Sequence, residues 1–230
     1  MNPKYNRNVF LNPTVAAAYD SYYQNEAGKT IDEIEKNILA PYLNNLPTGH
    51  LLELGCGTGH WTQFFSEQGF QVTAIDNSEA MLEIAREKNI QNALFQKADA
   101  SKLPFPDGSF PAIVSVIMLE FVENANQVMN EIDRVLKPGG TLVLGCLNEL
   151  SELGKNKEND PVFKHGRFFT VEEMKQMLSR FGIPTISAGV YFSPAFELLD
   201  GTVKQETVQP AFIAVSVRKT NKIKSHGNNR

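Results

Sequence analysis

Between residues 50 and 180 the chain alternates short apolar runs with longer amphipathic stretches. The runs at 50–54, 71–75, 93–96, 112–117 and 141–146 have strand length and are bounded by turn-forming residues. Near-continuous hydrophobicity at 112–117 and 141–146 marks strands covered on both faces. The segments 61–68, 79–88, 126–136 and 171–180 predict helices. Gly69 ends the first. Ser78 caps the second, whose inward face is Met81, Leu82 and Ala85, and Lys137-Pro138-Gly139-Gly140 stops the third. Thr170 opens the fourth with Glu173 three residues on, the spacing of a capping box. Two helices precede the alternation, at 14–23 and 29–43; in the second, Ile31, Ile34, Ile38 and Leu39 form one apolar stripe. Strands at 185–192 and 211–217 close the series with no helix between them. Residues 147–169, with the polar run LGKNKEND, predict a long irregular loop of the kind that is usually functional.

This order predicts an α/β fold: a mostly parallel sheet with helices on both faces and an antiparallel hairpin at one edge. Ligands of such sheets bind at the carboxyl ends of the strands, where the strand order reverses.

The 230 residues, 42% hydrophobic and 21% charged, suit a globular core and not a disordered, collagenous or disulfide-framed chain. No run approaches the ~18 apolar residues of a membrane span. The first ten residues lack the apolar core of a signal peptide, so a cytoplasmic protein is expected. Cys56 and Cys146 are far apart and show no metal-site spacing. The net charge of -4 is uneven: the last 13 residues hold five Lys or Arg and no acid, leaving 17 basic against 26 acidic residues elsewhere. An acidic body is a poor match for phosphate backbones, so no nucleic-acid partner is expected. The basic terminus reads as a solvated tail.

The strongest chemical signal is Glu53-Leu54-Gly55-Cys56-Gly57-Thr58-Gly59, a strand running into three glycines and then a helix. The nicotinamide fingerprint fails because His60 follows Gly59, and the Lys-Ser/Thr of a phosphate loop is absent. Glu53 would repel a pyrophosphate and suits a cationic ligand. The second strand leads to Asp76, 17 residues after Gly59, where a carboxylate can accept both hydroxyls of a ribose. Asp99 follows the third strand, where it can accept from an adenine amino group.

Four ordered motifs, ELGCGTG, AIDNSEAML, KADASKLPFPDGSF and EIDRVLKPGGTLVL, make this chain resemble the class I S-adenosylmethionine-dependent methyltransferases. The resemblance is to their small-molecule branch, of the ubiquinone/menaquinone C-methyltransferase type, and runs over 51–144 and more loosely to 181. It implies a Rossmann-like seven-stranded sheet of order 3-2-1-4-5-7-6 with strand 7 antiparallel. It also implies S-adenosylmethionine as cofactor, S-adenosylhomocysteine as product, and no metal. By the resemblance, Glu53 lies near the methionine ammonium, and Gly55, Cys56, Gly57 and Gly59 form the turn under the methionine and ribose. Asp76 holds the ribose, Asn77 and Met81 flank the adenine, Asp99 and the Ala100 amide read its edge, and Val116 and Ile117 meet the methionine end. The implied organisation is an N-terminal helical cap over the cofactor at 1–45, a methyltransferase domain at 46–218 and a flexible basic tail at 219–230.

Two positions depart from the pattern. Pro111 stands where relatives commonly have Asp, and the strand is expected to begin after it. Leu119-Glu120-Phe121-Val122 replaces a common Leu-His-His-Val, so acceptor chemistry does not carry over.

Candidate acceptor-side residues are Tyr19, Tyr22 and Tyr23 in the first helix, Glu120 and Phe121 after the fourth strand, and Asn148, His165, Arg167, Phe168, Phe169, Tyr191 and Phe192 beyond it. Glu120 and His165 are the candidate bases. Each has a structural alternative: the tyrosines as helix packing, His165 as a loop residue, Phe168 and Phe169 as a hydrophobic staple. A small-molecule acceptor methylated by in-line displacement is expected, with a protein or RNA methyltransferase and a non-catalytic cofactor-binding module as alternatives. The Asp/Asn-Pro-Pro-Tyr/Phe motif of base-amino methylation is absent from 115–121. A monomer or homodimer is expected.

Overall fold

The computed structural model describes residues 9–47, 49–199 and 208–220. Seven strands form one sheet: β1 His50–Leu54, β2 Gln71–Asp76, β3 Ala93–Lys97, β4 Phe110–Val116, β5 Leu136–Leu147, β6 Thr185–Gly189 and β7 Phe212–Arg218. Their order is β3-β2-β1-β4-β5-β7-β6. Strands β1 to β5 are parallel, and β7 runs antiparallel to both β5 and β6. The expected topology is therefore the observed one. The order reverses between β1 and β4, which opens the crevice at their carboxyl ends.

Alternation along the strands divides the interior into two cores. One face packs Leu52, Leu54, Ile113 and Leu144 against Val128, Met129 and Ile132 of α5 (Ala125–Val135) and Met174 and Leu178 of α7 (Val171–Leu178). The other packs Leu51, Val114 and Val143 against α2 (Glu26–Leu43), α3 (His60–Glu67) and α4 (Glu79–Glu87), through Leu39, Trp61, Phe65 and Leu82. The capping signals act as read: Ser78 accepts from the Met81 amide, and Thr170 and Glu173 complete a reciprocal capping box. Phe169, just outside that cap, shares its core with Met174 one turn in, the arrangement of a hydrophobic staple.

Several boundaries differ from expectation. The first helix is cut short: α1 spans Pro13–Tyr19 and a 3-10 segment, Asp20–Gln24, continues it. Strand β4 begins at Phe110, not after Pro111; the ladder to β5 shifts register between Phe110 and Ala112, which accommodates a residue without an amide donor. Residues 137–140 stop α5 but already belong to β5. The segment after β5 is largely structured, with α6 at Glu152–Asn156 and 3-10 turns at Lys157–Asn159 and Phe163–His165. The expected tail starts too early: Lys219 donates to the Leu136 carbonyl and pairs with Asp133, and the Thr220 amide bonds Phe181. Residues 221–230 of that tail lie outside the described residues.

Among the described residues no helix is long and apolar enough to cross a membrane. Nor do three or more metal-ligating side chains converge among them.

Candidate active site

A cleft runs along the carboxyl rim of β1 to β4. Its floor and walls come from Gly55, Cys56 and Gly57 after β1, Ile75, Asp76 and Asn77 at the end of β2, Ala98, Asp99 and Ala100 after β3, and Val116, Ile117 and Met118 after β4. Met81 of α4 closes one side, and Phe10, Leu11 and Tyr19 of the N-terminal segment lie across it. Four loops from four parallel strands meet at the point where strand order reverses.

Two of the glycines play different parts. Gly57 has φ +52°, and a Cβ there would point into open space, its first neighbour being the Met81 sulfur at 4.0 Å. That open face is a cradle that a ligand can fill and a side chain would obstruct. Gly59 also has a positive φ, +82°, but its Cβ would press on Ile90 at 3.0 Å and on Ala85 and Phe95 at 3.3 Å. Gly59 serves the packing of the α3 start against α4 and β3, and it does not line the cleft. Ile117 holds φ +49°, a conformation costly for a β-branched residue, at the cleft wall.

Asp76 is the electrostatic centre of the rim. Its Oδ2 accepts from the Gly57 amide and its Oδ1 from the Ser78 amide, both at 2.8 Å. Burial raises its pKa above the ordinary carboxylate range, while these backbone donors pull it back down. Each oxygen keeps lone-pair capacity for a further donor. Asp99 accepts from the Ser101 amide at 2.8 Å, which fixes its carboxylate at the end of β3.

The N-terminal segment is tied to this rim at two points. Ser78 donates its hydroxyl to the Phe10 carbonyl at 2.7 Å. Asp20 accepts from the Thr58 hydroxyl at 2.6 Å and pairs with Lys88 at 2.7 Å. Phe10 then meets Tyr19 and Phe121 edge to face, at 5.9 and 4.8 Å between ring centres. Helix α2, by contrast, covers the sheet instead of the cleft: the Tyr42 hydroxyl donates to the Ser187 hydroxyl and Ile38 packs on Gly189.

Glu53 lies below the glycine loop, outside the cleft wall. It is 2% exposed, and its Oε2 accepts from the Thr62 hydroxyl at 2.6 Å. Burial pushes its pKa up to about 8, against the lowering effect of Thr62. On the acceptor side, Tyr19 and Phe121 line the cleft. The other candidates do not. Tyr22 is half-exposed beside Tyr23. Asn148 is buried and structural, donating to the Pro210 carbonyl and accepting from the Leu150 amide. His165 ends a 3-10 turn and does not line the cleft, Phe168 and Phe169 are core residues, and the Tyr191 carbonyl is engaged by the Leu199 amide. Glu120 is completely buried and receives the Leu147 amide on Oε1 at 2.7 Å.

Sequence reasoning missed His60 and Trp61, which line the cleft directly after the glycines. His60 Nε2 meets Asp32 Oδ1 at 2.7 Å and its ring stacks on Tyr23 with 3.6 Å between centres. A polar and an aromatic residue at the start of α3 were visible beside the motif. Phe10 and Leu11 had no such signal, because a fold-back from 68 residues away places them.

Comparison with known proteins agrees with this architecture. The family profile described as "Methyltransferase domain" matches residues 52–144. An uncharacterized protein of Methanocaldococcus jannaschii is 30% identical over 205 residues, covering 86% of this chain and 97% of that protein. A demethylmenaquinone methyltransferase of Tropheryma whipplei is 44% identical over 96 residues, 41% of this chain and 40% of its own length. A solved Thermotoga maritima protein, described as an S-adenosylmethionine-dependent methyltransferase and possible histamine N-methyltransferase, has the same fold: TM-score 0.69, 24% identity, 91% of this chain and 99% of that one. The motif order, the sheet topology and these relatives agree, and the chain belongs to the class I S-adenosylmethionine-dependent methyltransferases.

Proposed function

We propose that the protein transfers the methyl group of S-adenosylmethionine to a small molecule by in-line displacement. The observation that carries this reading is the aromatic cover of the cleft. Phe10, Tyr19 and Phe121 meet over the rim, and the hydrogen bonds of Ser78 and Thr58 hold the covering segment down. Such an aromatic-lined mouth suits a small acceptor. The acidic body supports the same choice.

In this reading residues 9–24 act as the cap. Asp76 accepts the two ribose hydroxyls, and Asp99 with the Ala100 amide reads the adenine edge. Met81, Ala98 and Leu11 supply its apolar sandwich, and the methionine passes over Gly57 toward Val116 and Ile117. The bound cofactor supplies a methyl group activated on a sulfonium. The chain's own contribution is alignment and exclusion of water, which can supply roughly 7–11 kcal/mol. Glu53 acts through Thr62 and the loop above it, shaping the turn instead of touching the methionine.

The test is a labelled-methyl transfer assay with separated low-molecular-weight and macromolecular acceptor pools. Label in the small-molecule pool supports the reading. Label in protein or RNA overturns it, as does an enzyme that binds S-adenosylhomocysteine and labels neither.

A further inference from the structure

Among the described residues, five titratable side chains line the cleft: Tyr19, Cys56, His60, Asp76 and Asp99. Asp76 and Asp99 are engaged by backbone amides at the ends of β2 and β3, the places proposed for the ribose and the adenine. Burial pushes up both the Cys56 thiol and the Tyr19 phenol, so neither gives up its proton at neutral pH. His60 remains, and histidine is the side chain suited to exchanging a proton near neutrality.

His60 stands at the first position of α3, directly after the glycine loop. Its Nε2 meets Asp32 Oδ1 at 2.7 Å, and Lys36 donates to Asp32 Oδ2 at 2.7 Å. Against the upward push of burial, the bonds to His60 and Lys36 hold the Asp32 carboxyl below its ordinary range. An ionised carboxylate on Nε2 fixes the tautomer that carries its proton there and leaves Nδ1 as an acceptor. Nδ1 has no hydrogen-bond partner among the described residues. The other titratable groups on the elements packed against this pair are Glu35 of α2 and Tyr19, Tyr22 and Tyr23 before it. The imidazole also belongs to one continuous arc of rings. His60 stacks on Tyr23 with 3.6 Å between centres and 8° between planes, Tyr23 meets Tyr19 at 6.0 Å, Tyr19 meets Phe10 at 5.9 Å and Phe10 meets Phe121 at 4.8 Å. Four of these five, His60, Tyr19, Phe10 and Phe121, line the cleft. An imidazolium formed in this arc has the Asp32 carboxylate and the Tyr23 face to stabilise it.

We infer that His60, positioned by Asp32, is the general base of methyl transfer, and that the acceptor's nucleophilic atom carries a proton, as in a hydroxyl, a thiol or an amine N–H. This rests on the small-molecule reading above. As a lone pair of that atom forms the new bond to the methyl carbon, its proton passes to His60 Nδ1, and the C–S bond breaks with its electrons remaining on sulfur. The products are the methylated acceptor, neutral S-adenosylhomocysteine and a His60 imidazolium beside Asp32. The positive charge lost by the sulfonium is then carried by the imidazolium, and release of the proton to solvent resets the base. Asp32 is a positioning residue: it holds the tautomer and stabilises the cation, as the orienting carboxylate of a hydrolase triad does.

The experiment measures labelled-methyl transfer into the low-molecular-weight pool from acid to alkaline pH at saturating S-adenosylmethionine. It uses the intact chain and its His60→Gln, His60→Ala and Asp32→Asn variants, with thermal melts to confirm folding. His60→Gln should lower the rate roughly 10²-fold or more and abolish the rise of rate with pH that the intact chain shows. Added imidazole should restore part of the rate to His60→Ala, a rescue that a packing role would not give. Asp32→Asn removes the charge that stabilises the imidazolium, so it should lower the rate at least about tenfold and move the rise to lower pH. All three variants should bind S-adenosylhomocysteine within threefold of the intact chain by calorimetry, a readout free of turnover. A His60→Gln rate within threefold of the intact chain overturns the inference and leaves the small-molecule reading standing. So does a loss that keeps the pH dependence and is not restored by imidazole. A matching loss of S-adenosylhomocysteine affinity also overturns it, because the imidazole would then serve the cofactor. Tandem mass spectrometry that places the new methyl on a carboxylate or a tertiary amine does the same, since neither needs a base. Label found only in macromolecules, or in neither pool, removes both readings.

Discussion

Replacing Asp76 separates its part in the glycine loop from the part proposed for it in holding the ribose. In the free protein its two oxygens each accept one backbone amide at 2.8 Å. Asp76→Ala removes both. Hydrogen bonds to charged groups are worth roughly 1.5–3 kcal/mol each. Water reaches the freed Gly57 amide in the cleft, whereas Ser78 is 1% exposed, so the stability loss should be about 1–3 kcal/mol. Relief of the buried carboxylate offsets part of it, because burial has raised the Asp76 pKa. On the proposed ribose assignment, ligand binding loses two bonds of the same kind, and water can fill part of the space. At least about 1.4 kcal/mol should remain, a tenfold or greater rise in Kd. Asp76→Asn keeps the volume but turns an NH2 group toward a backbone donor, so it should retain at most one loop bond and weaken binding similarly. Titration calorimetry with S-adenosylhomocysteine, paired with ligand-free thermal melts, reads both quantities. An Asp76→Ala protein that stays folded and binds within threefold, about 0.6 kcal/mol, would refute the ribose assignment.

Three further perturbations test separate parts of the account. Glu53 has a folded-state pKa of about 8 against an ordinary 4.5, so the folded protein holds the proton more tightly and this group's stability contribution falls as pH rises from about 4.5 to 8. At about 1.4 kcal/mol per unit the penalty reaches several kcal/mol, and Glu53→Gln should gain stability over the intact chain at pH 9 and not at pH 4; urea melts showing a pH-independent difference would sink the reading. Gly57→Ala should chiefly weaken S-adenosylhomocysteine binding, and Gly59→Ala should chiefly lower Tm, because one Cβ faces the cleft and the other faces Ile90; the opposite pattern in paired titrations and melts would reverse the roles assigned to the glycines. Thr170→Ala breaks the α7 capping box and should cost about 0.5–2 kcal/mol in a chemical melt without changing S-adenosylhomocysteine affinity.

The topology and the strand-end positions that line the cleft were legible because each depends on local chemistry. The apolar runs at β4 and β5 mark buried strands wherever they occur, and Ser78 and Thr170 cap helices through amides two or three residues away. Gly55, Gly57, Asp76 and Asp99 were legible from their place at strand ends. Gly59 was misplaced because a glycine in a motif looks the same whether it clears space for a ligand or for Ile90. The acceptor side depends on long-range placement. Asp32 reads in sequence as one of several acids on an amphipathic helix, and only the fold turns it inward against His60. Asn148 and Glu120 look equally available after their strands, yet Asn148 is consumed by the Pro210 carbonyl and the Leu150 amide while Glu120 keeps a bare oxygen. Lys219 was assigned to a solvated tail because nothing local reveals the Asp133 and Leu136 acceptors that anchor it.

The most direct measurement of the central claim is transfer of a labelled methyl group from S-adenosylmethionine, followed by mass spectrometry of the small-molecule pool. The account predicts a new species heavier than its precursor by one methylene unit plus the mass of the label, with S-adenosylhomocysteine formed in equal amount and both lost in Asp76→Ala at limiting cofactor. S-adenosylhomocysteine formed in step with methylated protein or RNA, and no methylated small molecule, would contradict it.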